Sequence, residues 1–422
     1  MTKPPLHTSS THPPCHAIFL LYVTTFLFAT GLTMLLPVLP FMVASYVPAV
    51  SQQAVAIGWL TAAFALCSFL ASPVLGALSD AFGRRSVLLL TLSASVIGYV
   101  LFGIGGSLWV LFLGRILDGL GFGGMGAVFG YVADTTTEEE RGAFFGRFGA
   151  ILGLATIVGP ALGGLASRIS LSAPFFFAAG IAALNLLWTL FFLPESLAPE
   201  RRTRDFDFKH LNPLTQLTKA VSFSRVRTLV IVSMLFMLPF AMMQATNALL
   251  ARDTLRWGPA QISTMFMIVG LLDIVSQGIL LPFLLRVFKE KRVALLGLTL
   301  GLLGLCCYAL LAVTPHPALL YVGIIMFAVG EGMFTATSAA MVSSTTPADA
   351  QGSVQGSFQA FGSLAQMVGP VLGGQLYSRV SLSVPYWTGA GFVAVALGLL
   401  ARQGDGANAS GAGSAPLSPA DS

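Results

Sequence analysis

Charge is what this sequence has least of. Only 9% of its 422 residues are Asp, Glu, Lys or Arg, against 55% hydrophobic. Soluble domains carry roughly 25% charged residues. A water-soluble fold of this composition would expose apolar patches large enough to aggregate, so lipid is the natural solvent for most of the chain. Cysteine is scarce and unpatterned. Of the four, Cys15 precedes the first apolar run, while Cys67 and the adjacent Cys306 and Cys307 lie within such runs. That spacing suggests neither a disulfide framework nor a zinc site. His7, His12, His16, His210 and His316 are scattered, so no metal cluster is expected. Neither a metal motif of the H-E-x-x-H kind nor a nucleophile constellation is present, and an enzyme is not expected. The formal charge of +5 does not point to nucleic acid, because no soluble basic domain exists to carry it.

What is abundant is apolar runs of about 20 residues, the length a helix needs to cross the hydrocarbon. Twelve can be drawn, at 17–45, 54–76, 86–105, 107–133, 142–167, 174–193, 227–251, 261–285, 292–313, 317–343, 352–378 and 384–401. The first is too long for a signal-peptide core and has no clear small-residue cleavage site, so it reads as a retained span. Turns at 105–108 and at Pro315-His316-Pro317 are short enough to make antiparallel hairpins. The fold class expected is an all-α membrane protein.

Lys and Arg set the topology. With the N-terminus inside, seventeen of them fall on the cytoplasmic side and four outside (Arg168, Arg252, Arg256, Arg379), leaving Arg115 within a span. This is a clear positive-inside bias, and the basic excess also suits contact with anionic lipid. The expected organisation is a cytoplasmic tail at 1–16, a six-helix half at 17–194, a basic cytoplasmic linker at 195–226, a second half at 227–402 and a disordered tail at 403–422.

The chain repeats itself. Residues 132–160 align without gaps on 342–370, a shift of 210. Shared positions include Gly142 and Gly352, Gly146 and Gly356, Phe148 and Phe358, and Gly159-Pro160 and Gly369-Pro370. A shift near half the length, with an even number of spans between copies, means two parallel six-helix halves with a path between them.

The intramembrane polar residues are few enough to name. Arg115 costs several kcal/mol at membrane depth unless paired or facing water, and Asp118 lies one turn away on the same face. The pair is either a charged, protonatable element lining a cavity or a fixed internal ion pair. Asp273 and Glu331 are lone acids in the eighth and tenth spans. Each reads either as a carboxyl that binds a proton or a cationic solute, or as a neutral acid hydrogen-bonded to the backbone. Gly330 and Gly332 are expected to leave room for water or solute beside Glu331. Gln244 and Asn247 of the seventh span are candidates for a substrate cavity, whereas Phe236, Met237, Phe240, Met242 and Met243 around them read as packing. Gly153, Gly159, Pro160, Gly163 and Gly164 concentrate in the fifth span, where proline kinks a helix and glycines admit a neighbouring helix.

Between the second and third spans lie Gly76, Asp80, Gly83, Arg84 and Arg85. The glycines permit close approach or a left-handed turn, and Asp80 is an anion of the kind helix N-termini favour. The full pattern, G-x-x-x-D-x-x-G-R-[RK] between two spans, resembles the signature loop of the major facilitator superfamily. Within it the likeness is to tetracycline/proton antiporters and their tetracycline-transporter-like relatives, over about 20–400. It is carried also by Leu108 to Arg115, Tyr131 to Asp134, Leu193-Pro194-Glu195-Ser196 and Gln351 to Gly356.

The resemblance implies two pseudo-symmetric six-helix halves and alternating access. It implies an inner latch in which Asp134 pairs with Arg84 and Asp80 caps the start of helix eleven near Gly352. It links Arg115, with Gly119, to proton coupling, and takes G-P-x-x-G-G in the fifth span as a mark of antiport. The acids of the tetracycline antiporters in spans one, three and nine fall on Phe28, Gly98 and about Gly304, and their eighth-span histidine on Asp273. The scaffold is kept and the coupling residues are not. The function expected is proton-coupled efflux of amphipathic organic molecules by a monomer without cofactor, in a plasma or inner membrane, with an organelle membrane as the alternative. The alternative is symport or uniport of a small organic solute.

Overall fold

A computed structural model describes residues 15–136, 138–198, 200, 202, 224–346 and 351–403. The N-terminal tail, most of the 195–226 linker and the C-terminal tail lie outside the described residues.

All regular structure among the described residues is helical. This follows from the lipid: a spanning segment must satisfy its backbone hydrogen bonds internally. The first half holds α1 (Cys15–Met34), α2 (Leu39–Ala44), α3 (Val50–Phe82), α4 (Arg84–Ile104), α5 (Leu108–Phe122), α6 (Met125–Thr135), α7 (Glu138–Ala166) and α8 (Ala173–Phe192). The second holds α9 (Ser224–Leu255), α10 (Pro259–Val275), a π-helical turn (Ser276–Leu280), α11 (Leu281–Val287), α12 (Glu290–Leu311), α13 (Pro317–Thr345), α14 (Gln351–Arg379) and α15 (Val384–Arg402).

Three spans that read as continuous in sequence are interrupted. The first breaks between Met34 and Leu39, beside Pro37 and Pro40. The fourth breaks at Gly123–Gly124, where a Cβ on Gly124 would strike the Thr91 side chain and one on Gly123 the Cβ of Ala71, 2.8 Å away. The eighth widens into the π-turn just before Pro282, which lacks an N–H and would clash with the carbonyl four residues back in a regular helix.

Among the described residues ten helices are long and apolar enough to cross a membrane, and α1 contributes a shorter apolar stretch, Ile18–Met34. The exception is α14, whose 29 residues include Gln351, Gln355, Gln359, Gln366 and Gln375. It tolerates them because it is packed between α3 and α9 rather than surrounded by lipid. Elsewhere large apolar side chains face outward, with Trp109 82% and Phe191 72% exposed. Such a surface is stable only against hydrocarbon.

The repeat in the sequence is a repeat in the packing. In the first half α1 packs on α7 and α8, and α4 on α5 and α8; in the second α9 packs on α14 and α15, and α12 on α13 and α15. Gly159 and Gly163 of α7 abut Thr30, Thr33 and Met34, while Gly369 and Gly373 of α14 abut Leu238, Ala241 and Met242 of α9. Gly164 meets Ser263 of the other half, and Gly374 meets Ala54. Each partner is displaced along the chain by nearly the same amount as the motif itself, which makes the bundle two pseudo-symmetric six-helix halves. They meet where α3 packs on α14 and α7 on α10. Helix direction alternates, so one end of the bundle carries Arg84 and the other carries Arg252.

Candidate functional site

At the Arg84 end the loop between α3 and α4 is a single left-handed residue, Gly83, with φ of 101°. Its strain-free use of that region is the reason for a glycine there. Arg84 Nη1 lies 2.5 Å from Asp80 Oδ1 and Arg84 Nε 3.0 Å from Asp134 Oδ2, with Nη1 also donating to Ser79 Oγ at 2.6 Å. The Arg84–Asp134 contact is therefore present, within one half. Arg85 turns the other way and donates to the Leu190 carbonyl at 2.5 Å.

Asp80 does not cap the helix that follows it. Its carboxylate is turned to the Arg84 guanidinium, and the first backbone N–H groups of α4 are taken by Glu195 instead. Residues 347–350, before the start of α14, lie outside the described residues, as does the Gly352 environment. Gly76 needs no close approach here, since a Cβ on it would meet nothing within 4 Å.

Inside the first half, Arg115 and Asp118 are 4% and 2% exposed and 3.3 Å apart. The guanidinium lies 5.3 Å from the Phe64 ring centroid and 5.8 Å from that of Phe102, within cation–π range of both. Gly98, at the position where the resembling family carries an acid, lets α4 close on α5: a Cβ there would sit 2.7 Å from the Gly114 carbonyl and 3.1 Å from the Asp118 nitrogen. The geometry is that of an internal ion pair in this conformation.

In the second half the structure sets two acids the sequence treats separately on adjoining helices. Asp273 of α10 and Glu331 of α13 are both half-buried. Thr335 donates to Glu331 Oε1 at 3.1 Å, and one turn beyond Asp273 the Ser276 hydroxyl donates to the Val329 carbonyl at 3.2 Å. The π-turn begins at that serine; such turns recur at functional sites. The glycines beside Glu331 do not provide space, contrary to expectation. Gly330 packs on the backbone of α12, where a Cβ would lie 2.6 Å from the Gly297 carbonyl, and Gly332 packs on Ser276. They serve to seat α13 between two neighbours.

Asp273 itself lies between Gly270 and Ile274, which touch Thr156 and Gly153 of α7 in the opposite half. Of the two seventh-span candidates, Gln244 is exposed and Asn247 is 4% exposed with its Oδ1 unpartnered, so they do not share one open surface. Phe236, Met242 and Met243 are core residues.

At the opposite end a cluster not singled out in the sequence joins the halves. Arg252 donates from Nη2 to Gln53 Oε1 at 2.8 Å and from Nη1 to the Pro40 carbonyl at 3.2 Å, both in the other half. Its Nε pairs with Asp253 at 2.8 Å, and Asp253 accepts from the Tyr377 hydroxyl at 2.9 Å. Gln53 is anchored in turn by donating to the Val47 carbonyl at 2.9 Å. The adjacent Arg-Asp at a span end is the signal that marks it. Among the described residues no group of His, Cys, Asp and Glu could hold a metal ion.

Two pseudo-symmetric helical halves with acids beside their seam and a cross-half closure at one end define a membrane transporter of the two-fold alternating kind, not an enzyme. The chain belongs to the Major Facilitator Superfamily, whose family model matches residues 21–280 and 229–420. It is 34% identical over 379 residues to the tetracycline resistance protein, class C, of Escherichia coli, covering 90% of this chain and 93% of that one. The class B protein of Escherichia coli is 31% identical over 371 residues, covering 87% and 89%. Among solved structures, the human organic anion transporter MFSD10 (TETRAN) shares the fold, with a TM-score of 0.67, 24% identity, and coverage of 92% of this chain and 99% of that one.

Proposed function

We propose that this protein is a secondary active transporter that works by alternating access and exports amphipathic organic molecules in exchange for protons. The observation that carries the reading is a site with two half-buried carboxyls, Asp273 and Glu331, on spans that Ser276 ties together by donating to the Val329 carbonyl at 3.2 Å. Carboxyls inside a membrane mark proton relays and ion pathways, so this site suits holding a proton or a cation. It adjoins α7 of the opposite half through Gly270 and Ile274, where a change in its charge bears on how the halves pack.

The Arg252 closure supports the alternating part. Contacts that join the halves at one end must break when the other end closes, and hydrogen bonds break and reform more readily than a packed core. The similarity to tetracycline resistance proteins supports a drug-like, amphipathic substrate. Phe28, Gly98 and Gly304 at the acid positions of the resembling branch argue for a different molecule from tetracycline and for coupling through this chain's own acids. The Arg84 end is cytoplasmic by the Lys and Arg bias, the single chain with both halves is the working unit, and the membrane is the plasma or inner membrane.

The test is a proteoliposome screen with an internal pH-sensitive dye and a panel of amphipathic compounds that includes tetracycline. A compound whose uptake or release moves protons the opposite way supports antiport. Protons moving with the compound, or flux indifferent to pH, overturns it.

A further inference from the structure

The segment after α8, Pro194-Glu195-Ser196, has no part in the proposed cavity, yet it gathers the Arg84 end into one unit. Glu195 Oε1 accepts from the Arg84 backbone N–H at 2.8 Å and Oε2 from that of Arg85 at 3.3 Å, so the carboxylate caps the start of α4 from 110 residues away. Oε1 also accepts from the N–H groups of Ser196 and Leu197, at 3.1 and 3.2 Å, which locks the side chain to its own backbone. The neighbours reinforce the seat. The Tyr131 hydroxyl donates to the Pro194 carbonyl at 3.0 Å and the Ser196 hydroxyl to Asp134 Oδ2 at 3.2 Å. That carboxylate oxygen also receives Arg84 Nε.

Gly83 completes the argument, because a Cβ on it would strike Glu195 Oε2 and would put a side chain at φ of 101°. The glycine of the signature loop is thus required twice, once by backbone geometry and once by the carboxylate against it.

We propose that Glu195 is a positioning residue: it fixes the 83–85 turn so that Arg84 is presented to Asp80 and Asp134, and it ties the start of the connection between the halves to that turn. A negative charge at a helix start is favoured by the helix dipole, and a carboxylate accepting several N–H groups is a stronger seat than an amide.

The consequence for alternating access rests on the function proposed above, and two measurements keep the two ideas apart. The first is a double-mutant cycle on thermal stability of the full-length purified protein with Gly83→Ala and Glu195→Ala. Because an alanine at 83 displaces the carboxylate, Glu195→Ala is expected to lower the melting temperature of wild type but to change the Gly83→Ala protein by much less. Additive shifts overturn the anchor. The second uses spin labels on cysteines placed at Phe192 and Val287, one per half at the Arg84 end, in a background without the native cysteines. Glu195→Ala is expected to change the ratio of open to closed distances about tenfold away from the state described here, the loss of a charge-assisted hydrogen-bonded seat. Glu195→Gln, which keeps one acceptor oxygen for Arg84, is expected to fall between. Unchanged ratios in folded protein reduce Glu195 to a structural cap and overturn the positioning role. A wild-type protein with one distance under all conditions overturns alternating access instead, and the stability cycle still decides the anchor.

Discussion

Glu331 and Arg115 pose different questions at the scale of single residues. Glu331 is half-buried, hydrogen-bonded to Thr335 and on a helix adjoining that of Asp273. If it carries the proton, Glu331→Gln imitates its protonated form. Flux driven by a pH gradient is then lost while substrate-for-substrate exchange persists in the same proteoliposomes. Exchange and driven flux falling together, or neither falling, removes it from coupling. Arg115 is paired and dry. Arg115→Ala leaves Asp118 as a buried unpaired charge, a loss of about 3–5 kcal/mol, seen as a collapse of the melting temperature in detergent. Arg115→Met with Asp118→Leu removes both charges and is expected to restore most of it. A double variant as unstable as the single would mean that Asp118 is not the reason Arg115 is tolerated.

Glycine decides the elements. α7 and α14 carry the same Gly-Pro-x-x-Gly-Gly pattern, and in both the first and second glycines receive the backbone of a neighbouring helix. A side chain at Gly163 would strike the Met34 carbonyl, and one at Gly373 would lie 3.0 Å from the Met242 backbone. Gly163→Val and Gly373→Val are each expected to cost about 1–3 kcal/mol by overpacking and to lower the yield of monodisperse protein on size exclusion. Gly76→Ala, with open space around it, is expected to leave yield and melting unchanged in this conformation. Equal tolerance of all three would sink the packing account. The pattern was legible in the sequence as a repeat. Which helix each glycine receives was not, because that depends on contacts between spans far apart in the chain.

The whole molecule is closed at the end that holds Arg252, Gln53 and Tyr377. The Arg252 bonds to Gln53 and to the Pro40 carbonyl cross the halves, so weakening them shifts the balance between conformations without touching either core. Arg252→Ala is expected to raise the rate at which a cysteine introduced at Val47, buried beside Gln53, reacts with a membrane-impermeant maleimide in a background without the native cysteines, measured against the same cysteine with Arg252 intact. A single buried charged hydrogen bond is worth roughly 1.5–3 kcal/mol, which is at least tenfold in that rate if closure governs access. An unchanged rate means the closure is held by the α3–α14 and α7–α10 packing instead. The same reagent tests orientation: a cysteine in the 195–226 linker should react only after the cells are permeabilised.

The sequence by itself determined the solvent, the span count, the two-fold repeat and the family. Each of those is written in quantities that add along the chain: charge density, the length of apolar runs, the sign of the loops and the spacing of a motif. It also marked Arg84, Asp134, Arg115, Asp118, Asp273 and Glu331, because any polar group stands out against so apolar a background. Only the tertiary structure decided which of them meet. Arg252 finds Gln53 in the other half, Ser276 ties the span of Asp273 to that of Glu331, and Glu195 caps the helix after the signature loop. Pairing of that kind depends on how helices pack side by side in lipid, where the close fit of small residues sets the distances, and no local spacing encodes it.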